Sequence, residues 1–433
     1  MCGGTVSALN RGVSLMQMRR VVITGIGAIA PSGIGIDEFW NSLIHGRSGI
    51  KKITQFDVSS YPCQVAGIVS DFDPLDYIDP KSANRLSRFA QFAYGSAQMA
   101  VEDSGIDFGR GNPYRMGVFV GSAIGGGDII ERQYNIFVEK GSRRISPYSV
   151  FSISAASASG IIGCEFNLKG PNMTIATGCN AGLDAIYYAC STLQLGDADV
   201  MIVSTGESPV TPLGQALFCA TGFLSRNNGA PEKSIKPFDV NADGTALGEG
   251  GACIIVEELR HALNRGAKIY GEIIACSALN EAFDMIEVDS NNETMVANFK
   301  LALRKAGIRA QDIDYINAHG NGMVSYDRSE TGAIKRAFGE CAYDIPVTSI
   351  KPITGQSMSA TGVLQIITAL LVMKNSVIPP TTNLQTPAPG CDLNYVQHHY
   401  LEKEVRTALV NAHGFGGRIT TLIVTAFAQG EFV

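Results

Sequence analysis

The sequence predicts a layered α/β protein built from two similar halves. Three observations carry this: short apolar runs ending in glycine, stretches of helical apolar spacing between them, and a second round of the same alternation past residue 263. Val21 to Gly27 (VVITGIG) and Met116 to Gly121 (MGVFVG) read as buried strands that turn at their C-terminal ends. Arg85 to Ser104 places Leu86, Phe89, Ala90, Ala93, Ala97, Ala100 and Val101 at helical spacing and stops at Ser104-Gly105. Ala198 to Gly206 and Gly251 to Glu257 read as strands closing the first half, and a helix from Glu258 to Gly266 leads out of it. In the second half Ile269 to Ala275 and Ile313 to Ala318 are predicted strands, with a helix from Met295 to Ala306 between them. A further helix covers Ala360 to Asn375, and strands cover Ala408 to Asn411 and Thr420 to Phe427. The division expected is a flexible extension at 1–17, a first half at 18–262 and a second at 263–433.

Composition fits that architecture. Of 433 residues 45% are hydrophobic and only 17% charged, and the 48 glycines suit a fold with many tight turns. The net charge of -6 argues against a nucleic-acid partner. No window offers the roughly 18 uninterrupted apolar residues that span a bilayer, and residues 1–17 show neither an apolar core nor a cleavage pattern. No membrane partner is expected. The ten cysteines form no CxxC pair and no zinc-like spacing, so they read as reduced thiols of a cytoplasmic protein, with no metal site.

Pro171 to Ala189 (PNMTIATGCNAGLDAIYYA) reads as a strand, a turn of small residues holding Cys179, and a helix. A thiol at a helix N-terminus meets unsatisfied N–H groups and the positive end of the helix dipole, which favour the thiolate that attacks a thioester. Gly178, Ala181 and Gly182 leave room for a substrate. On spacing alone a cysteine at a strand-helix turn is more often packed core.

From Val21 onward the chain resembles the β-ketoacyl synthases, the condensing enzymes that extend chains on an acyl carrier protein. The resemblance runs through VVITGIGAIAPSG at 21–33, the Cys179 turn, PFDVNADGTALGEGG at 237–251, NAHG at 317–320, SIKPITGQ at 349–356 and GFGG at 414–417, in the family's order. It implies a thiolase-like fold with two similar βα halves in five layers (α-β-α-β-α), usually dimeric, with Cys179 as nucleophile. His319 then matches the histidine that assists decarboxylation of the malonyl unit and stabilises the enolate. Gln356 stands where the family carries a second histidine; its amide can donate to an oxyanion but cannot titrate. Lys351 and Glu330 match the family's supporting lysine and the acidic residue paired with it. Phe415 matches the gate over the acyl pocket, its N–H joining that of Cys179 in the oxyanion hole. Ile124 would line the acyl channel.

Other positions depart from the family pattern. The two threonines that commonly follow the first histidine and hold the phosphopantetheine arm are Asn321 and Met323, of which only Asn321 donates a hydrogen bond. His413 replaces a phenylalanine in the C-terminal loop. The Gly125 to Gly127 run has neither a Walker lysine nor dinucleotide spacing and reads as a turn. Lys81, Arg85 and Arg88 are spaced for one side of a helix and could receive an acidic carrier protein.

The expected function is acyl transfer to Cys179 followed by decarboxylative Claisen condensation with a malonyl-carrier-protein thioester, without a resident cofactor. Phosphopantetheine would arrive on the acyl carrier protein. The expected assembly is a homodimer, or a heterodimer with a homologous ketosynthase-like subunit. Two alternatives rest on the altered positions: a non-condensing chain-length subunit of a heterodimer, and an acyltransferase that uses Cys179 without decarboxylation.

Overall fold

The computed structural model describes residues 18–427; the extension expected at 1–17 lies outside them. The first half supplies β1 (Val21–Ala30), helix α1 (Arg88–Ser104), β2 (Met116–Gly121), α2 (Gly127–Lys140), α3 (Ala156–Glu165), β3 (Asn172–Ile175), α4 (Ala181–Leu195), β4 (Val200–Glu207) and β5 (Gly250–Glu258). The second supplies β6 (Gly271–Asn280), α5 (Glu293–Ala306), β7 (Tyr315–Asn317), α6 (Val324–Phe338), β8 (Val347–Thr348), α7 (Ser359–Asn375), β9 (Thr407–Gly414) and β10 (Arg418–Thr425). A short helix, Leu259–Asn264, lies between them.

The strand order states the duplication outright. The first half runs β3-β2-β4-β5-β1 and the second β8-β7-β9-β10-β6, so each strand of one corresponds to the strand five places later. In both, the first two neighbour pairs are parallel and the last two antiparallel. The two sheets are not separate. Val21 to Ile23 of β1 pair antiparallel with Gly271 to Ile273 of β6, making one continuous sheet.

Helices complete the layers. The first sheet carries α1 and α3 on its outer face, α4 and α7 pack against each other between the sheets, and α5 with α6 covers the far side. Burial dictates the central position of α7, because every residue from Ser359 to Val372 is buried and a helix apolar all round has no solvent face. Gly182 allows the close crossing: a Cβ there would sit 2.2 Å from the Ser359 carbonyl oxygen. Its smallness therefore serves helix packing rather than substrate access, correcting the sequence expectation.

The predicted helix from Arg85 begins only at Arg88 and leaves Lys81 on a separate turn, Pro80–Ala83. Lys81, Arg85 and Arg88 therefore do not share one helical face. Parallel strands β2, β3, β4, β7 and β9 direct their C-terminal ends to one region, and the loops leaving β3, β7 and β9 carry Cys179, His319 and Phe415.

Candidate active site

Cys179 sits in a single 3-10 turn, Gly178–Asn180, that runs directly into α4. The next residue, Asn180, is buried and donates from Nδ2 to the Ala412 carbonyl at 3.1 Å and to Thr420 Oγ1 at 2.9 Å, tying the nucleophile's turn to β9 and β10 of the other half. Gly414 permits that closeness. A Cβ at Gly414 would meet Asn180 Oδ1 at 2.5 Å and Cys179 Cβ at 3.5 Å.

Burial, not the helix terminus, sets the state of the thiol. Loss of solvent pushes Cys179 up to about 11, with the Lys351 cation and a hydrogen bond from Gln356 working the other way and the Glu207 carboxylate adding to the rise. That position corresponds to about 3 kcal/mol against the thiolate, at about 1.4 kcal/mol per pH unit, whereas a helix N-terminus supplies about 0.3–1 kcal/mol. Desolvation thus opposes the thiolate that the helix-leading turn favours and draws the balance toward the thiol. Glu207 is itself lifted to about 7 by burial; it accepts from Ser359 Oγ at 2.6 Å and from the Ala123 N–H.

His319 follows β7. Its own N–H and that of Gly320 donate to Glu330 Oε1 and Oε2 at 2.8 and 2.9 Å, and Asn411 Nδ2 donates to the same carboxylate at 2.6 Å. Asp327, raised to about 7 by burial, accepts from the N–H of Asn321 at 3.0 Å and of Phe238 at 2.8 Å, bracing the rest of the loop. Lys351 Nζ donates to the His319 carbonyl and lies 3.5 Å from Nδ1. Glu330 and Lys351 thus act on each other through space, each making its hydrogen bonds to the His319 loop, rather than as the direct ion pair the sequence implied. Burial draws Lys351 down to about 8 against the pull of Glu330.

The His319 tautomer follows from one bond. The backbone N–H of His413 donates to His319 Nδ1 at 3.2 Å, and a backbone donor cannot reverse its role. Nδ1 is therefore the acceptor and Nε2 carries the proton in the neutral ring. Burial, with the Lys351 cation and His413 adding to it, holds His319 well below the ordinary histidine range, so it is an N–H donor rather than an imidazolium at neutral pH. Asn321 Nδ2 stands 3.2 Å from Nε2; two donors face each other there. Asn321 is buried, and its Oδ1 accepts from the Met323 N–H at 2.9 Å, so the residue expected to meet pantetheine is turned into its own loop.

Cys179, His319, Gln356, Asn321 and Phe415 all line one cavity of about 30 Å³. The Phe415 ring packs against Phe223 at 5.3 Å between centroids, and Gly416 and Gly417 take φ values of 80° and 72° that only glycine adopts freely. Phe223, Tyr326 and Glu281 belong to this neighbourhood and escaped the sequence reading, which had no spacing signal for them. Ile124 is not in the cavity wall. It is 42% exposed, in the turn between β2 and α2. Of the proposed docking cations, Arg88 is turned inward to Glu249 at 3.2 Å and the Val69 carbonyl at 2.7 Å, Arg85 lies over the Tyr148 ring, and Lys81 is exposed. Among the described residues no cluster of three or more His, Cys, Asp or Glu is arranged to hold a metal ion.

Two family profiles match this chain: the Beta-ketoacyl synthase N-terminal domain over residues 18–262 and the Beta-ketoacyl synthase C-terminal domain over 270–385. The chain belongs to the β-ketoacyl synthase family. It is 42% identical over 410 residues to a 3-oxoacyl-(acyl-carrier-protein) synthase 2 of Coxiella burnetii, covering 95% of this chain and 99% of that one. It is 40% identical over 414 residues to a putative polyketide beta-ketoacyl synthase 1 of Streptomyces cyaneus, covering 94% and 98%. Among solved structures, a type II polyketide ketosynthase in complex with its acyl carrier protein superposes with a TM-score of 0.88 at 30% identity, over 95% of this chain and all of that one. The ishigamide ketosynthase/chain length factor does so with a TM-score of 0.89 at 29% identity, with the same coverage. The fold is accordingly thiolase-like, and this β-ketoacyl synthase is a condensing, acyl-transferring enzyme of fatty-acid or polyketide biosynthesis.

Proposed function

We propose that this β-ketoacyl synthase loads an acyl group from an acyl carrier protein onto Cys179 and extends it by decarboxylative condensation with a malonyl-carrier-protein thioester. The observation that supports this most is the convergence of a thiol, a neutral imidazole and an amide on one cavity: Cys179, His319 and Gln356. Attack by the Cys179 sulfur on the acyl thioester forms an oxyanion, which the N–H groups of Cys179 and Phe415 receive. The malonyl unit then loses CO₂, and the resulting enolate oxygen accepts from His319 Nε2–H and the Gln356 NH₂. Donation, not titration, is what both positions supply. Written this way the reaction needs no metal, flavin or nucleotide, and the phosphopantetheine arm belongs to the carrier.

The carrier protein is acidic in this proposal and meets the exposed Lys81; the two arginines serve the fold. A second chain of the same architecture, identical or homologous, covers the open edge at β3. Met173 on that edge is 49% exposed, and an apolar surface continues through α3 and the helix Ser149–Ile153 to α2, with Phe151, Val150, Tyr134 and Phe137 uncovered. Long apolar edges of this kind require a partner. Ile124 lies in the turn that starts α2, so the same partner would enclose it. We place the enzyme in the cytoplasm, in keeping with its free thiols; no described helix is long and apolar enough to cross a membrane.

The replacement of a titrating histidine by Gln356 favours one second reading, acyl transfer without decarboxylation. Intact-protein mass spectrometry with acyl and malonyl carrier proteins separates the readings. Condensation gives a 3-oxoacyl carrier product that Cys179→Ala abolishes. Acyl-enzyme without that product supports transfer alone, and no acylation in the presence of a cognate carrier supports a chain-length subunit.

A further inference from the structure

His413 stands in the cavity wall with Cys179, His319 and Gln356, yet the steps above use only its backbone. Its ring is buried, 1% exposed, and faces the buried carboxylate of Glu281, whose Oε1 lies 3.3 Å from Nε2. That contact is off the line of a hydrogen bond. Both ring nitrogens and Glu281 Oε1 lack a hydrogen-bond partner among the described residues. Burying an imidazole and a carboxylate oxygen unsatisfied is costly, and a catalytic role is one reason native structures retain such groups.

The same loop fixes both residues. Glu281 N–H donates to the Gly417 carbonyl at 2.8 Å, Gly416 N–H donates to the Met285 carbonyl at 2.8 Å, and Asp289 N–H donates to Glu281 Oε2 at 3.2 Å. Tyr326 closes the other side of the ring at 4.9 Å between centroids. The residue after His413 is Gly414, packed so closely on the nucleophile's turn that a Cβ there would meet Cys179 Cβ at 3.5 Å. The cavity that Cys179 and His413 both line, about 30 Å³, is large enough to admit one water.

The reaction has an unassigned proton. On loading, the Cys179 thiol gives up its proton as the C–S bond forms, and the departing pantetheine sulfur takes one up. In condensation the malonyl C–CO₂ bond and the acyl C–Sγ bond break, one C–C bond forms, CO₂ leaves, and the Sγ electron pair must gain a proton to restore the thiol. His319 has its lone pair at Nδ1 occupied by the His413 N–H, and Gln356 does not titrate. Lys351 Nζ is turned to the His319 carbonyl.

We propose that His413, held against Glu281, is the proton relay of this active site: it takes the Cys179 proton during loading, passes it to the leaving thiol, and returns one from solvent to Sγ after condensation. The proposal rests on the condensing reading of the site. It makes this enzyme's second working imidazole come from the end of β9 rather than from position 356. The groups facing His413 are Glu281 beyond β6, His319 beyond β7, Tyr326 on α6, Cys179 before α4 and, through His319, Lys351.

The test follows acyl-Cys179 formation and 3-oxoacyl product by rapid-quench mass spectrometry from pH 5.5 to 9.5. Wild type, His413→Phe and Glu281→Gln are compared, each checked for folding by circular dichroism. The wild-type loading rate should carry a pH-dependent limb if an acid–base relay takes part in loading. His413→Phe should lose that limb and fall about 10²–10³-fold, in the range typical of a removed acid–base group. Glu281→Gln, which keeps the side chain's shape but removes the carboxylate that the ring faces, should slow loading over the same pH range, and it carries the test if His413→Phe does not fold. A turning-over wild type matched in rate and profile by His413→Phe or by Glu281→Gln overturns the relay alone. A wild type that never forms acyl-Cys179 overturns the condensing reading and the relay with it.

Discussion

The backbone N–H of His413 donates to His319 Nδ1 at 3.2 Å, so a strand end of the second half dictates which nitrogen of the central imidazole carries its proton. With Nδ1 occupied, Nε2–H is the group offered to substrate, and burial keeps the ring neutral.

A donor of that kind stabilises an enolate without being needed to load the acyl group. His319→Ala should therefore still form acyl-Cys179 but lose 3-oxoacyl product by about 10²–10⁴-fold. His319→Asn should recover part of the loss, since an amide donates as well. Equal losses in loading and condensation would count against the assignment.

Gln356 contributes by donation only. Gln356→Ala should lower condensation about 10²–10³-fold, the range for loss of one oxyanion donor, with less effect on loading. Gln356→His should condense and gain a new ionisation in its pH–rate profile. A Gln356→Ala variant with unchanged product formation would remove this residue from the site.

The half-buried Cys179 thiol makes a chemical prediction. Because it is pushed up to about 11, its alkylation by iodoacetamide should be slow at pH 7 and climb toward pH 10, approaching tenfold per pH unit. Lys351→Met should slow the reaction further near neutral pH, since that cation favours the thiolate. A rate already at plateau at pH 7 would show a preformed thiolate.

Much of this was legible in the sequence because burial writes itself as composition. Val21–Ala30 and Val200–Glu207 are buried at every position, and each opens on the apolar run that marks it as a strand. The α7 segment is legible for the same reason. β8 was not, because a strand of only Val347 and Thr348 leaves no periodicity to detect. The order of Cys179, His319 and Gln356 along the chain was readable, but their surroundings were not. Position in a helix-leading turn argued for a thiolate, and only three-dimensional burial shows the desolvation that outweighs it. Arg88 looked like a surface cation until Glu249, distant in sequence, was seen beneath it. Glu281 lies past the predicted end of its strand, and nothing local announces that β6 extends to Asn280 and delivers it to His413.

Glu330 and Lys351 allow the support of the site to be tested through stability. Lys351 has a folded value of about 8, below the ordinary 10.5, so the cost of burying its ammonium is complete below pH 8 and is relieved as pH rises from about 8 toward 10.5. Glu330 is what holds that value up, and its carboxylate also receives two loop N–H groups and Asn411. Glu330→Ala should lower the Lys351 value further and cost about 3–5 kcal/mol near pH 6, the range for leaving one member of a buried charged pair uncompensated. The lysine part of that deficit should disappear once wild-type Lys351 is also neutral. Urea unfolding of both proteins at pH 6 and pH 9 should therefore show a gap that narrows with rising pH, leaving only the lost hydrogen bonds. A gap of the same size at both values would mean that Glu330 holds the His319 loop but does not hold the charge on Lys351.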